Sequence, residues 1–139
     1  MERTLTLIKP DGVAANLVGE VVRRLEDRGL RPVAMKMIHL TPEQARGFYH
    51  VHREKGFFES LVKFMSSGPL VAMVLEREGA IATLREVMGA TDPAKATEGT
   101  IRKDFASSIE KNIIHGSDSP PSAEFEIGYF FSSLEICRR

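Results

Sequence analysis

Apolar and polar positions along the chain fall into strand-like and helix-like stretches. Thr4 to Ile8 is short, apolar and β-branched, which predicts a first strand, and Pro10-Asp11-Gly12 behind it is a turn signal. Leu17, Val21, Val22 and Leu25 then recur at helical spacing, with Gly29 as terminator. Pro32 to Leu40 reads as a second strand, with Val33, Met35 and Met37 at alternate positions. Thr41-Pro42-Glu43-Gln44 supplies a cap residue, a first-turn proline and the glutamine of a capping box, so a helix should run from about Pro42 to His50. A further helix is predicted over Phe57 to Met65, with Phe57, Leu61 and Phe64 or Met65 on one side, ended by Ser66-Ser67-Gly68-Pro69. Leu70 to Leu75 is a continuous apolar strand, and Ala80 to Met88 a helix that buries Ile81, Leu84 and Met88.

Between Gly89 and Gly99 the periodicity stops, and long irregular stretches of this kind are often functional. Ile113-Ile114 fits a short last strand, and Ser119-Pro120-Pro121-Ser122 precedes a closing helix near Ala123 to Phe131. The order β-α-β-α-α-β-α-loop-β-α predicts an α/β chain of the α+β kind: a ferredoxin-like sandwich whose four-stranded antiparallel sheet is covered by helices.

A chain of 139 residues with 42% hydrophobic content can close one core, so residues 1–139 are expected to form a single domain. Lys+Arg 19 against Asp+Glu 19 argues against a general nucleic-acid or acidic-membrane binder, although local basic clusters could still hold a small anion. The one cysteine, Cys137, has no partner for an internal disulfide, and no segment approaches the ~20 apolar residues that span a bilayer. A soluble, cytoplasmic protein is expected.

Four histidines remain to be weighed. His39 ends a strand and reads as structural or surface. His50 and His52 are two apart and diverge on a helix, so they cannot chelate one metal together. No CxxC, HExxH, acidic EF-hand or Walker A pattern is present, so neither a protein-built metal site nor a P-loop is expected. His115 closes a strand and precedes Gly116-Ser117-Asp118-Ser119, a loop rich in amide and hydroxyl donors. Neutral imidazole is a competent nucleophile near neutral pH when one ring nitrogen is free and the other is fixed. Glu126, in the following helix, is a candidate to fix it. A loop-capping histidine is an equally good reading on physical grounds alone.

The segment Asn112-Ile113-Ile114-His115-Gly116-Ser117-Asp118-Ser119 resembles the active-site signature of the nucleoside diphosphate kinases. Its roughly six specified positions arise by chance on the order of once in 10⁸ windows. The resemblance continues in Thr4-Leu5-Thr6-Leu7-Ile8-Lys9-Pro10-Asp11-Gly12-Val13, Leu17-Val18-Gly19-Glu20, Phe57-Phe58, Phe64-Met65-Ser66-Ser67-Gly68-Pro69, Gly99-Thr100-Ile101-Arg102 and Ser122-Ala123-Glu124.

The resemblance implies a ping-pong transfer of the γ-phosphoryl group of a nucleoside triphosphate, mainly ATP, to nucleoside diphosphates through a phosphohistidine at His115. It puts Glu126 on the second ring nitrogen, Ser117 in support, Tyr49 as a hydrogen-bond donor near the histidine, and Lys9 at the ribose and the transferring phosphoryl. His52, Arg85, Thr91 and Arg102 match phosphate contacts, and Asn112 matches the residue that binds the sugar hydroxyls. Phe57 matches the aromatic on which the base stacks, with Leu61 and Ile109 completing an apolar slot. Stacking tolerates every base, so broad base acceptance follows.

Mg2+ should arrive on the nucleotide phosphates rather than in a protein cage, with Asp118 either assisting through water or capping the next helix. Taken singly, Lys9, Arg85 and Arg102 are solvated charges, Tyr49 and Phe57 packing residues, and Thr91 a loop residue. Three positions depart from the commoner pattern: Gly56 before the paired phenylalanines, Lys103 after Arg102, and the early end at Arg138-Arg139. The last leaves a homo-oligomer open between tetramer and hexamer. Two other classes compete: a regulatory nucleotide binder without turnover, and a small ferredoxin-like nucleic-acid binder, which the balanced charge disfavours.

Overall fold

The structure is a computed structural model that describes all residues, 1–139. Its sheet has the order β2-β3-β1-β4, built from β1 (Glu2–Ile8), β2 (Arg31–Ile38), β3 (Leu70–Arg77) and β4 (Ile114–Gly116). All neighbours are antiparallel, with Leu5 opposite Val74 and Leu7 opposite both Ala72 and His115. The helices are α1 (Pro10–Ala14), α2 (Val18–Asp27), α3 (Pro42–Phe48), α4 (Phe58–Met65), α5 (Ala80–Met88), α6 (Ile101–Phe105) and α7 (Pro120–Phe130). This is the expected four-stranded antiparallel sandwich.

Both faces of the sheet are covered, which explains why β3 carries six consecutive buried residues instead of an alternation. On one face Leu5, Leu7, Ala72 and Val74 pack against Phe48, Phe58, Val62, Met65 and Phe130. On the other, Ile8, Val71, Met73 and Leu75 pack against Val21, Leu25, Leu84, Met88 and Ile101. No helix is long and apolar enough to cross a membrane.

Several elements differ from the sequence reading. Pro10-Asp11-Gly12 does not turn the chain but begins α1, with Pro10 in the first turn, where its missing N–H costs nothing. The helix expected to reach His50 ends at Phe48, and His50–His52 form a 3-10 turn. The closing helix starts earlier, at Pro120, capped by the Ser119 side chain. α6 lies where no periodicity could announce it, because five residues are too few to repeat; its signal is Thr100, whose hydroxyl accepts from the Lys103 N–H. His115 is the middle residue of β4 rather than its last.

Side-chain direction shifted in two places. A bulge between Pro32 and Ala34 places Val33 and Ala34 both inside, so Met35 and Met37 face outward, about half exposed. In α4 the core face is Phe58, Val62 and Met65, and Phe57 stands at the N-cap with its ring exposed.

Gly89 ends α5 at φ +87°, a backbone state that side chains rarely adopt, and a Cβ there would lie 2.5 Å from Thr100 Oγ1, the cap of α6. Its carbonyl accepts from Arg102 at 3.0 Å. Gly89→Ala should therefore destabilise the fold by about 2–3 kcal/mol, read as a lowered urea midpoint at unchanged m value. An unchanged midpoint would show that the α5–α6 joint yields freely.

Candidate active site

The centre of the site is built where the end of β1 meets the start of β4. Ile113, just before β4, sits at φ +73°, an outlier for a β-branched residue that costs ~1–3 kcal/mol unless its surroundings hold it. Two hydrogen bonds hold it, and the bare Cα of Gly12 leaves it room. The Lys9 N–H donates to the Ile113 carbonyl at 2.8 Å, the Ile113 N–H donates to Asp11 Oδ2 at 3.1 Å, and a Cβ on Gly12 would press on the Ile113 Cγ2 at 3.1 Å. Lys9-Pro10-Asp11-Gly12 thus works as a clamp on Asn112 and Ile113. Its acidic member was read from sequence only as part of a turn.

Within β4, the His115 carbonyl accepts from Thr6 Oγ1 at 2.7 Å. Its Nε2 lies 2.7 Å from Glu126 Oε1, so with the carboxylate ionised Nε2 carries the proton and Nδ1 keeps its lone pair. Ser117, fully buried, donates its hydroxyl to the same Glu126 oxygen at 2.9 Å and accepts from the Leu5 N–H at 3.3 Å. The Phe48 ring packs edge-on against the imidazole with centroids 5.4 Å apart, a contact that sequence alone did not indicate.

Around this relay lies a cleft of about 640 Å³, within the usual range for small-molecule sites. Lys9, Tyr49, His52, Phe57, Leu61, Arg85, Thr91, Arg102, Ile109, Asn112, His115 and Glu126 all line it; Ser117 stands behind Glu126. Glu110 and Val51, which carry no motif signal, also line the wall, as does Met88, expected from sequence only on the buried face of its helix.

Lys9 is buried and donates to Asn112 Oδ1 at 2.8 Å, while the Asn112 amide donates to the Thr91 carbonyl at 3.2 Å. Burial first, then the Arg102 charge, pull the Lys9 ammonium down to about 8, against the opposing pull of Asp11 and Glu110. Arg102, also buried, donates to the Gly89 and Ile114 carbonyls at 3.0 and 2.7 Å, tying α6 to β4. Burial, and next the nearby Arg85, lower it to about 10, which leaves it a cation at neutral pH. Arg85 itself projects from the last turn of α5 and is exposed on the cleft wall.

Three buried polar atoms on this wall have no partner in the protein: Tyr49 OH, His52 Nδ1 and Arg102 Nε. Buried polar groups are nearly always paired, so three in one cleft mark it as a place for a polar ligand. Burial, and then the Glu126 charge, push the Tyr49 phenol well above its ordinary range, so it stays protonated and able to donate. Burial and Lys55 lower His52, which favours its neutral form. At the other end Phe57, Leu61 and Ile109 form an apolar slot, with Phe57 and Ile109 both exposed. The neighbouring Ser122 in the first turn of α7 lowers the Asp118 carboxyl from its ordinary value, against the opposing pull of burial.

A family model described as Nucleoside diphosphate kinase matches residues 2–136. The chain is 65% identical to the nucleoside diphosphate kinase of Desulfosudis oleivorans over 139 residues, covering 100% of both chains. It is 62% identical to that of an Anaeromyxobacter species over 135 residues, 97% of this chain and 92% of that one. The solved structure of the Aquifex aeolicus nucleoside diphosphate kinase superposes with a TM-score of 0.95 at 48% identity, over 97% of this chain and 98% of that chain. With matches that run nearly end to end, this chain belongs to the nucleoside diphosphate kinase family.

Proposed function

We propose that this chain is a nucleoside diphosphate kinase in which His115 Nδ1 carries the phosphoryl group between nucleotides. The observation that carries the reading is the Nε2–Glu126 bond, which leaves Nδ1 as the unprotonated nitrogen on a cleft of donors and cations. In the first half-reaction the Nδ1 lone pair forms an N–P bond to the γ-phosphorus as the bond to the bridging oxygen breaks, and the diphosphate leaves. The ring keeps its Nε2 proton, and the Glu126 carboxylate offsets the positive charge. In the second, a terminal oxygen of the acceptor diphosphate attacks phosphorus and the electron pair returns to Nδ1.

Charge spread over the transferring oxygens calls for fixed cations and donors. Arg85, Arg102, Thr91 and His52 supply these to the phosphates, and Tyr49 donates beside the histidine. Lys9 and Asn112, already bonded to one another, meet the ribose and the phosphoryl. Phe57, Leu61 and Ile109 hold the base by its faces, which suits purines and pyrimidines alike. Mg2+ would come with the nucleotide substrate and supply charge for the phosphates, with Asp118, on the cleft wall, the residue that would assist it. Residues 1–139 act as one cytoplasmic domain. A homo-oligomer, tetramer or hexamer, is supported by the outward Met35 and Met37 on the edge strand β2.

Incubation with γ-labelled ATP and magnesium, followed by removal of nucleotide, should leave acid-labile, alkali-stable label on the protein that discharges onto several nucleoside diphosphates. His115→Ala should take up none; equal uptake by that variant refutes the mechanism, and absence of label in the parent protein favours a binding role. Lys9 adds a pH dependence. Its ammonium is complete below about pH 8 and is lost as pH rises through that value, so kcat/KM should fall about tenfold per unit on the alkaline side. Bound phosphates favour the charged form, so the same limb in kcat should lie at higher pH. Coincident limbs in the two profiles would separate Lys9 from the nucleotide. Finally, Phe57→Ala should weaken nucleotides of every base by ~1–3 kcal/mol in titrations while leaving the thermal midpoint near that of the parent. A loss confined to one base contradicts the stacking slot.

A further inference from the structure

Glu110 is the charged group on the cleft wall that neither the phosphoryl relay nor the phosphate cradle uses. It follows Ile109, which walls the apolar slot, and it is only partly exposed. One carboxylate oxygen, Oε1, accepts from Ser60 Oγ at 3.1 Å, and Ser60 immediately precedes Leu61 on α4. The bond therefore spans from the 106–112 segment to α4, beside the slot formed by Phe57, Leu61 and Ile109. The second oxygen makes no bond within the protein. A carboxylate fixed in this way is an acceptor without a donor, and beside a slot that holds a base, an edge that carries N–H groups complements it.

We propose that Glu110 is a specificity-determining residue that reads the edge of the nucleobase and favours guanine. The inference rests on the nucleotide reading of the slot and refines its broad base acceptance into a graded one. Guanine presents two adjacent donors, N1–H and the 2-amino group. Hypoxanthine has the same ring and stacking faces without the amino group. Uracil offers one N–H flanked by two carbonyl oxygens that a carboxylate repels. At a partly exposed site the discrimination is modest, because water competes for the same groups. Ser60 acts as a positioning residue that holds the carboxylate beside the slot.

The test is single-turnover discharge of isolated phosphoenzyme onto GDP, IDP and dGDP, with rate ratios taken within each protein so that differences in folded fraction cancel. In the parent protein GDP should outpace IDP by about fivefold. Glu110→Ala should bring that ratio close to one, and Ser60→Ala should give an intermediate value. A GDP/IDP ratio near one in the parent protein, or one that Glu110→Ala leaves unchanged, overturns the proposal. So does a Glu110→Ala effect confined to the GDP/dGDP ratio, which would move the carboxylate to the sugar. Failure to form phosphoenzyme at all would instead sink the nucleotide reading on which this one stands.

Discussion

One unfavourable backbone conformation organises the site. Ile113 at φ +73° redirects the chain as it enters β4, so that Asn112 turns toward Lys9 while His115, two residues on, faces the cleft. A β-branched residue would not stay there unaided. The Asp11 carboxylate on its N–H and the Lys9 N–H on its carbonyl hold it from outside the segment. Lys9 thus contributes through its main chain as well as its side chain, and the first strand and the histidine strand cannot be positioned independently. The antiparallel pairing of β1 with β4 completes the same joint.

Buried charge is the second organising element. Lys9 and Arg102 are nearly inaccessible, and burial weakens the charged form of both. Arg102 is tied down by two carbonyls and Lys9 by one amide oxygen. This incomplete satisfaction leaves the cations on the cleft wall, where, on the proposed reading, phosphate oxygens restore what burial removed. The helices on both faces of the sheet make such burial attainable in a chain of 139 residues.

Much of this was legible in the sequence. The apolar run at Leu70–Leu75, the capping box at Thr41–Gln44 and the spacing of Val21 and Leu25 carry their structures locally, so the layers and the strand count could be read directly. Less legible were features that depend on distant partners. The helix that begins at Pro10 looks like a turn until Ile113 is set against it, and the bulge that turns Met35 and Met37 outward exists only in the pairing with β3. The Lys9–Asn112 bond joins residues at opposite ends of the sequence, and the Phe48 packing on His115 likewise belongs to the tertiary fold. Glu110 carries no motif at all; its interest lies wholly in Ser60 and the slot beside it.

Glu126 uses a single oxygen, Oε1, for both His115 and Ser117. On the proposed route that shared oxygen lets the carboxylate orient the ring while the serine hydroxyl holds the carboxylate in place. A phosphorylated ring that stays protonated is cationic, and a cationic ring is a good leaving group. On that route the N–P bond would then not settle into a thermodynamic trap, and the phosphoryl group would move off the protein as readily as it moved on. In a reaction that exchanges one phosphoanhydride for another, an evenly balanced intermediate lets concentration alone set the direction.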